Sequence, residues 1–306
     1  MMAAKSLVQP LFDGPVDIVG DVHGELECLL QVLRHLGYNN LGIHPEGRRL
    51  VFLGDLTDRG PDSPGVVELV RSFVDAGYAQ CVLGNHDLNI LLGQEKLDNG
   101  WFFGKPFFHD RALVPQVLAT DAIRQGVLDF FSRLPLALER ADLRVVHACW
   151  QTEMVDLARP ARATVDLYNR HADLIERDLQ QRSDIDAVAR ELEHQNRNPV
   201  KVLTSGRERR AEAPFESSGK LRYEERVRWW ENYEDVEFCF FGHYASPLGQ
   251  PHGRGRALCI DYAVGKRWTE RGQAAPGTAF KFKLAAARFP EKTLLFDDGS
   301  TAKLGP

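Results

Sequence analysis

A chain of 306 residues is long enough for one large α/β domain with insertions and too long for a minimal fold. With 43% hydrophobic and 26% charged residues it has the composition of a soluble globule, which sets disorder aside, and a formal net charge of −5 gives no overall bias toward polyanions, so no stable nucleic-acid partner is expected. Cysteines 28, 81, 149, 239 and 259 are dispersed and lack C-x-x-C spacing, residues 1–15 lack the apolar core of a signal peptide, and no run of about 18 apolar residues could span a membrane; a cytoplasmic location and no membrane partner are expected.

In chain order, residues 1–12 read as a flexible arm and 13–300 as a single domain. Val16-Asp17-Ile18-Val19 is a short strand that runs into Gly20-Asp21-Val22-His23-Gly24. Leu26, Leu29, Leu30, Leu33 and Leu36 then recur at helical spacing, and Gly37 stops the helix. The unbroken apolar run Leu50-Val51-Phe52-Leu53 is the pattern of a parallel strand buried on both faces. It stops at Gly54-Asp55-Leu56-Thr57-Asp58-Arg59-Gly60, and a second helix follows through Val66, Val70 and Phe73. Gln80-Cys81-Val82-Leu83 repeats the design into Gly84-Asn85-His86-Asp87 and a third helix. Strands alternating with helices predict an α/β fold with a mainly parallel sheet covered on both faces.

The stretch 98–109 is aromatic, punctuated by glycine and not periodic; it is either a hydrophobic loop packed on the core or a wall of a cleft. A helix is expected around 123–131, then strands at 134–139 and 143–146, the second ending at His147. Residues 155–235 read as a cap insertion, with one or two exposed helices in 163–195 and an arginine-dense loop at 205–210. Strand 236–241 ends at Gly242-His243, strand 257–260 leads to Asp261, and 279–284 and 293–296 are expected to finish a second, antiparallel sheet.

Asp21, His23, Asp55, Asn85, His147 and His243 each fall at or just past a strand end, where open α/β sheets bind ligands. One of them alone would be a helix cap or a packed histidine. Together they form a set of oxygen and imidazole donors without thiolate, which suits Mn²⁺, Fe or Zn²⁺. Asp55, on the central strand, can bridge two ions. Asp21 and His23 complete one side; Asn85, His147 and His243 complete the other. Such a pair clamps the attacking and leaving oxygens of a phosphoryl transfer.

Gly20–Gly24, Gly54–Gly60, Gly84–Asp87, Val145-Val146-His147-Ala148 and Phe241-Gly242-His243 resemble the five signature blocks of calcineurin-like metallophosphoesterases, and the Asp-Arg-Gly ending of the second block is similar to the phosphoprotein phosphatase branch. The resemblance implies a central β-sandwich of mainly parallel and mixed sheets flanked by helices, with a helical cap. It also implies two divalent metal ions per chain, manganese first, with iron, zinc, nickel or cobalt as alternatives. In such a site a metal-bridging hydroxide attacks phosphorus in line, Arg59 holds a phosphate oxygen, and His86 protonates the leaving oxygen while Asp58 orients it. A second phosphate-binding arginine is expected from the cap, with Arg207, Arg209 and Arg222 as candidates. Trp150 stands where the family usually has a small residue, and Asp87 where eukaryotic protein phosphatases carry Glu. The blocks look closer to small bacterial protein phosphatases, the phosphatase module of bacterial polynucleotide kinase-phosphatase and symmetrical diadenosine tetraphosphate hydrolases, the last of which typically lack an acid at the Asp58 position. A serine/threonine phosphoprotein phosphatase is therefore expected. A nucleotide or RNA-end phosphatase or bis(5'-nucleosyl)-tetraphosphatase is the alternative, and a non-catalytic phosphate-binding relative is the second alternative. All six ligand positions are filled, which speaks against the last.

Overall fold

The structure, a computed structural model, describes residues 5–109, 112–217, 220–246, 253–271 and 279–304. The first part alternates strand and helix. It runs β1 (Val8–Pro10), β2 (Val16–Val19), α1 (Leu26–Leu36), β3 (Arg49–Phe52), α2 (Ser63–Asp75), β4 (Ala79–Cys81) and α3 (Asn85–Leu91). The short α4 (Gly100–Phe103), the hairpin β5 (Phe107–His109) and β6 (Ala112–Val114), α5 (Asp121–Phe131), β7 (Ala137–Arg140) and β8 (Leu143–Val146) come next. Four helices, α6 (Thr152–Ala158), α7 (Thr164–Leu179), α8 (Ala187–Arg197) and α9 (Pro199–Ser205), lead to a second hairpin, β9 (Glu208–Ser217) and β10 (Lys220–Arg226). The chain closes with β11 (Phe238–Phe241), β12 (Gly253–Arg254), β13 (Ala257–Cys259), α10 (Arg267–Arg271), β14 (Ala285–Phe289), β15 (Thr293–Phe296) and β16 (Thr301–Lys303).

Among the described residues the strands form two six-stranded sheets, ordered β16-β15-β14-β2-β3-β4 and β1-β7-β8-β11-β13-β12. Strands β2, β3 and β4 are parallel, as are β8, β11 and β13. Side chains alternate along each strand, so Val51 and Leu53 join Val145, Phe240 and Leu258 in one buried cluster between the sheets. Leu50 and Phe52 point the other way, into a cluster with Leu29, Leu33, Val66 and Val70 of α1 and α2. This two-sided burial is why the central run has no polar residue until Gly54.

Three expectations change. Residues 7–11 are not a loose arm: β1 pairs with β7 in parallel, and Leu7, Val8 and Leu11 are buried. Residues 1–4 lie outside the described residues. The strand expected at 279–284 begins instead at Ala285, and β14 to β16 extend the first sheet rather than building a second, with β14 antiparallel to β2 and each later strand antiparallel to the one before it. The arginine-dense stretch 205–210 runs from the end of α9 into β9 rather than forming a loop, and the region expected as a cap holds helices and a hairpin. No helix among the described residues is long and apolar enough to cross a membrane.

Candidate functional site

Every expected site residue except Trp150 and those of the cap sits at or just past the end of a central strand. Beyond β2, β3 and β4 the chain turns sharply. Seven non-glycine residues have positive φ among the described residues, and five of them are His23, Asp55, Asp58, Arg59 and His243. Each such conformation costs on the order of 1–3 kcal/mol and persists only where neighbours hold it. Here the β2 and β3 turns hold each other. The Val22 and His23 amides donate to Asp55 O at 3.1 and 2.8 Å, and the Gly60 amide donates to His23 O at 2.8 Å. The invariable need for glycine is clearest at Gly242, where a Cβ would collide with the Asp21 carboxylate. Asp87 ties β3 to α3 from below, accepting from Leu56 N at 3.1 Å and Thr57 Oγ1 at 3.0 Å.

The turns gather lone pairs at one point. His23 Nδ1 lies 3.1 Å from Thr57 O and His147 Nδ1 lies 2.6 Å from Leu53 O, so both rings carry their proton on the carbonyl side and present Nε2 to the crevice. His147 Nε2 stands 3.2 Å from Asn85 Oδ1 and 3.4 Å from Asp55 Oδ2. His243 Nδ1 is 2.7 Å from the same Asn85 oxygen, and His23 Nε2 is 3.7 Å from Asp55 Oδ2. Asp21 accepts from His243 N at 3.0 Å through Oδ2, while its buried Oδ1 has no hydrogen-bond partner. Among the described residues three trios each bring their ligand atoms within 4.8 Å of one another; Asp55–His147–His243 and His23–Asp55–His86 share Asp55, and Asp58–His86–Asp98 lies beside them. The second contains His86 where the sequence reading placed Asp21. Burial and the neighbouring Asp261 push the Asp21 carboxyl up. Burial disfavours the His147 imidazolium, yet Asp55 and Asp21 raise its pKa to about 10. Facing lone pairs and crowded carboxylates are both relieved by a cation, so this nitrogen and oxygen donor set fits divalent metal.

Beside it lies a second constellation. Asp58 is fully buried; its Oδ2 is 2.7 Å from His86 Nδ1, and its Oδ1 accepts from Trp101 Nε1 at 2.7 Å. Arg59 donates from Nε to Asp98 at 3.0 Å, and its two other nitrogens reach His86 Nε2 at 2.9 Å and His23 Nε2 at 3.1 Å. Burial and Arg59 work against the His86 imidazolium, but Asp55 and the Asp58 hydrogen bond outweigh them and its pKa rises.

The crevice, about 480 Å³, is lined by residues of the β9–β10 hairpin and by Lys266. Arg222 lines it, as do Arg226 and Arg228, which sequence reasoning missed. No strict alternation announces them: Arg222, Glu224, Glu225 and Arg226 all line the crevice, and the β9–β10 register shifts between Arg222 and Glu224. Arg226 also donates to His243 O at 2.9 Å. Arg207 and Trp150 do not line the crevice. They border a separate depression with Trp229 and Asp235. By Trp150 the chain has turned from the end of β8 toward α6, so the indole packs into the helix-side core with Arg144 4.7 Å above it. The aromatic stretch is core rather than wall: Trp101 is fully enclosed. Asp98, Trp101 and Asp261 were also missed, because their contacts are tertiary and no spacing announces them. Trp150→Ala is expected to leave KM for a nucleotide and for a phosphopeptide equally unchanged, within about twofold, while lowering thermal stability as large-to-small core changes do, by about 3–5 kcal/mol. Substrate kinetics and a melting curve check both halves.

A profile of the calcineurin-like phosphoesterase family matches residues 14–247. An asymmetrical bis(5'-nucleosyl)-tetraphosphatase of Geobacillus sp. (strain WCH70) is 46% identical over 74 residues, which is 23% of this chain and only 30% of that relative's length. Among solved structures, a cold-active protein-tyrosine phosphatase of a psychrophilic Shewanella is similar at 16% identity and TM-score 0.51, covering 97% of this chain and 83% of the other. A protein serine/threonine phosphatase of Saccharomyces cerevisiae is similar at 15% identity and TM-score 0.52, covering 94% and 78%. These two likenesses concern the fold. The family profile spans most of the chain and all five strand-end blocks and ends before β12 to β16, and the chain belongs to the calcineurin-like phosphoesterase family, whose members are metal-dependent phosphoric ester hydrolases.

Proposed function

We propose that this chain is a divalent-metal-dependent phosphatase that hydrolyses phosphate monoesters, with protein phosphoserine or phosphothreonine as the substrate class. The observation that carries the reading is the 2.7 Å contact between Asp58 and His86 Nδ1, which leaves His86 Nε2 facing the crevice beside Arg59. The alkoxide leaving group of a serine or threonine ester is strongly basic and needs a proton; a nucleotide leaving group needs it far less. Asp21, His23, Asp55, Asn85, His147 and His243 would hold divalent metal, manganese first, which would supply Lewis acidity. Arg59 turns its two terminal nitrogens from His23 and His86 to the phosphate and binds it bidentately. His86 delivers its Nε2 proton to the leaving oxygen, and Asp58 keeps the ring oriented. The five cysteines, all free and buried, support a reducing, cytoplasmic setting.

A second reading has its own support. Arg222, Arg226, Arg228 and Lys266 line the crevice together with Arg59, among Glu208, Glu224 and Glu225, and this supply of cations suits a row of phosphates such as a dinucleoside polyphosphate. Mn²⁺-loaded protein tested on p-nitrophenyl phosphate, a phosphopeptide, diadenosine tetraphosphate and a cyclic phosphate separates the two. The phosphopeptide is expected to give the highest kcat/KM of the last three; a preference for diadenosine tetraphosphate of about tenfold, 1.4 kcal/mol, would reverse the assignment. Turnover of none of them would leave a phosphate-binding relative. Arg226→Ala is expected to raise KM for every phosphate ester by about five- to tenfold, as loss of a charge-assisted hydrogen bond does. Under the second reading the rise is confined to the multiphosphate substrate.

A further inference from the structure

We infer that Trp101 is a positioning residue of this site: its indole N–H fixes the Asp58 carboxylate in the orientation that receives the His86 imidazole. The inference rests on the proposed role of Asp58 and His86 as the proton-delivering pair.

The Asp58 side chain has no exposure, so each oxygen must find its partner inside the protein. Oδ2 meets His86 Nδ1 and Oδ1 meets Trp101 Nε1, both at 2.7 Å. Two hydrogen bonds on opposite oxygens set the plane of a group whose terminal torsion is otherwise soft. The indole comes from 43 residues away and is itself locked. It is fully buried, its carbonyl accepts from Ala119 N at 2.9 Å, and the Phe102 ring stands edge-on at 5.7 Å. Three residues earlier Asp98 holds Arg59 at 3.0 Å, so one short segment reaches both halves of the constellation. A tryptophan needed only for packing would be served by any acceptor; this one spends its single donor on the carboxylate that orients His86. Remove the N–H and Oδ1 is buried without a donor. The carboxylate is then free to rotate Oδ2 away from His86 or to take up a proton, and either change weakens the hold on the ring.

Trp101→Phe keeps an aromatic ring and deletes the donor. In the Mn²⁺-loaded protein, kcat for a phosphoserine peptide is expected to fall about tenfold, and kcat for p-nitrophenyl phosphate by less than about threefold, with KM for both nearly unchanged. Asp58→Asn should show the same leaving-group signature, and the double variant should be slower than Asp58→Asn alone by no more than about twofold, since the two act through one contact. An equal loss for both substrates, or losses that multiply in the double variant, would overturn the inference. A spectrum of the indole N–H groups provides a readout that does not depend on turnover. The resonance that Trp101→Phe removes is expected to shift in Asp58→Asn, and if Trp101→Phe does not fold, a shift of one indole resonance in Asp58→Asn still supports the contact. No shifted resonance contradicts it. Failure of the wild-type protein to hydrolyse any ester would sink the function reading and this inference with it. Turnover by wild type with an unaltered leaving-group profile in Trp101→Phe would sink the inference alone.

Discussion

Asp55→Asn protein, loaded with Mn²⁺ and freed of excess metal, is expected to retain neither ion and to hydrolyse p-nitrophenyl phosphate at background rate. The reason is position. Asp55 belongs to two of the three trios of potential ligands, and its Oδ2 lies 3.4 Å from His147 Nε2 and 3.7 Å from His23 Nε2. Asparagine has nearly the same shape and can still accept from His86 N, which Asp55 Oδ1 does at 2.9 Å, so the turn should survive. What is lost is the negative charge shared by two cations. Removing a group that only orients a metal ligand typically costs about 10–100-fold in metal affinity; losing the shared ligand should exceed that at both positions. Metal content per chain and turnover are measured on the same sample. Loss of one ion only would show that Asp55 serves one site, and full occupancy with full activity would remove it from the metal centre.

Asp58→Asn should behave in the opposite way, keeping both ions and losing turnover. Its carboxylate touches His86 and Trp101, and none of the proposed metal ligands. A positioned acid–base partner is worth on the order of 10²–10⁴ in rate. The loss is expected at that size for a phosphoserine peptide and markedly smaller for p-nitrophenyl phosphate, whose leaving group needs little protonation. An equal loss for both would argue that Asp58 acts on the phosphate or the metals rather than through the proton donor.

The strand-end half of the site was legible because parallel strands buried on both faces write themselves as apolar runs, and each run stops where polar chemistry begins. Leu50–Leu53 works this way throughout, and Ile18-Val19 and Val145-Val146 do so over the last two residues of their strands; the buried Asp17 that interrupts β2 is paired with Arg48. Elements without that signature were misread. Val8–Pro10 is three residues long, too short for any period to show. Strand β14 opens with Ala285, Ala286 and Ala287, small residues of weak strand propensity, and was placed six residues early. Strand β9 is dense in arginine and includes Pro214, and this hid a hairpin that needs no buried face on its outer side. Trp150 was misplaced for a different reason. Its number is close to His147, but the chain turns away toward α6 in between, and three residues suffice to leave the crevice. The tie from Trp101 to Asp58 spans 43 residues and has no sequence period at all.

The central claim is that this crevice hydrolyses phosphate esters with divalent metal held by the strand-end residues. Its most direct test is a chelation and reconstitution experiment on the wild-type chain with p-nitrophenyl phosphate. Activity should vanish on exhaustive chelation and return on adding Mn²⁺, rising until two ions are bound per chain. Turnover that survives chelation, or a fully metal-loaded protein that hydrolyses no phosphate ester, would contradict the account.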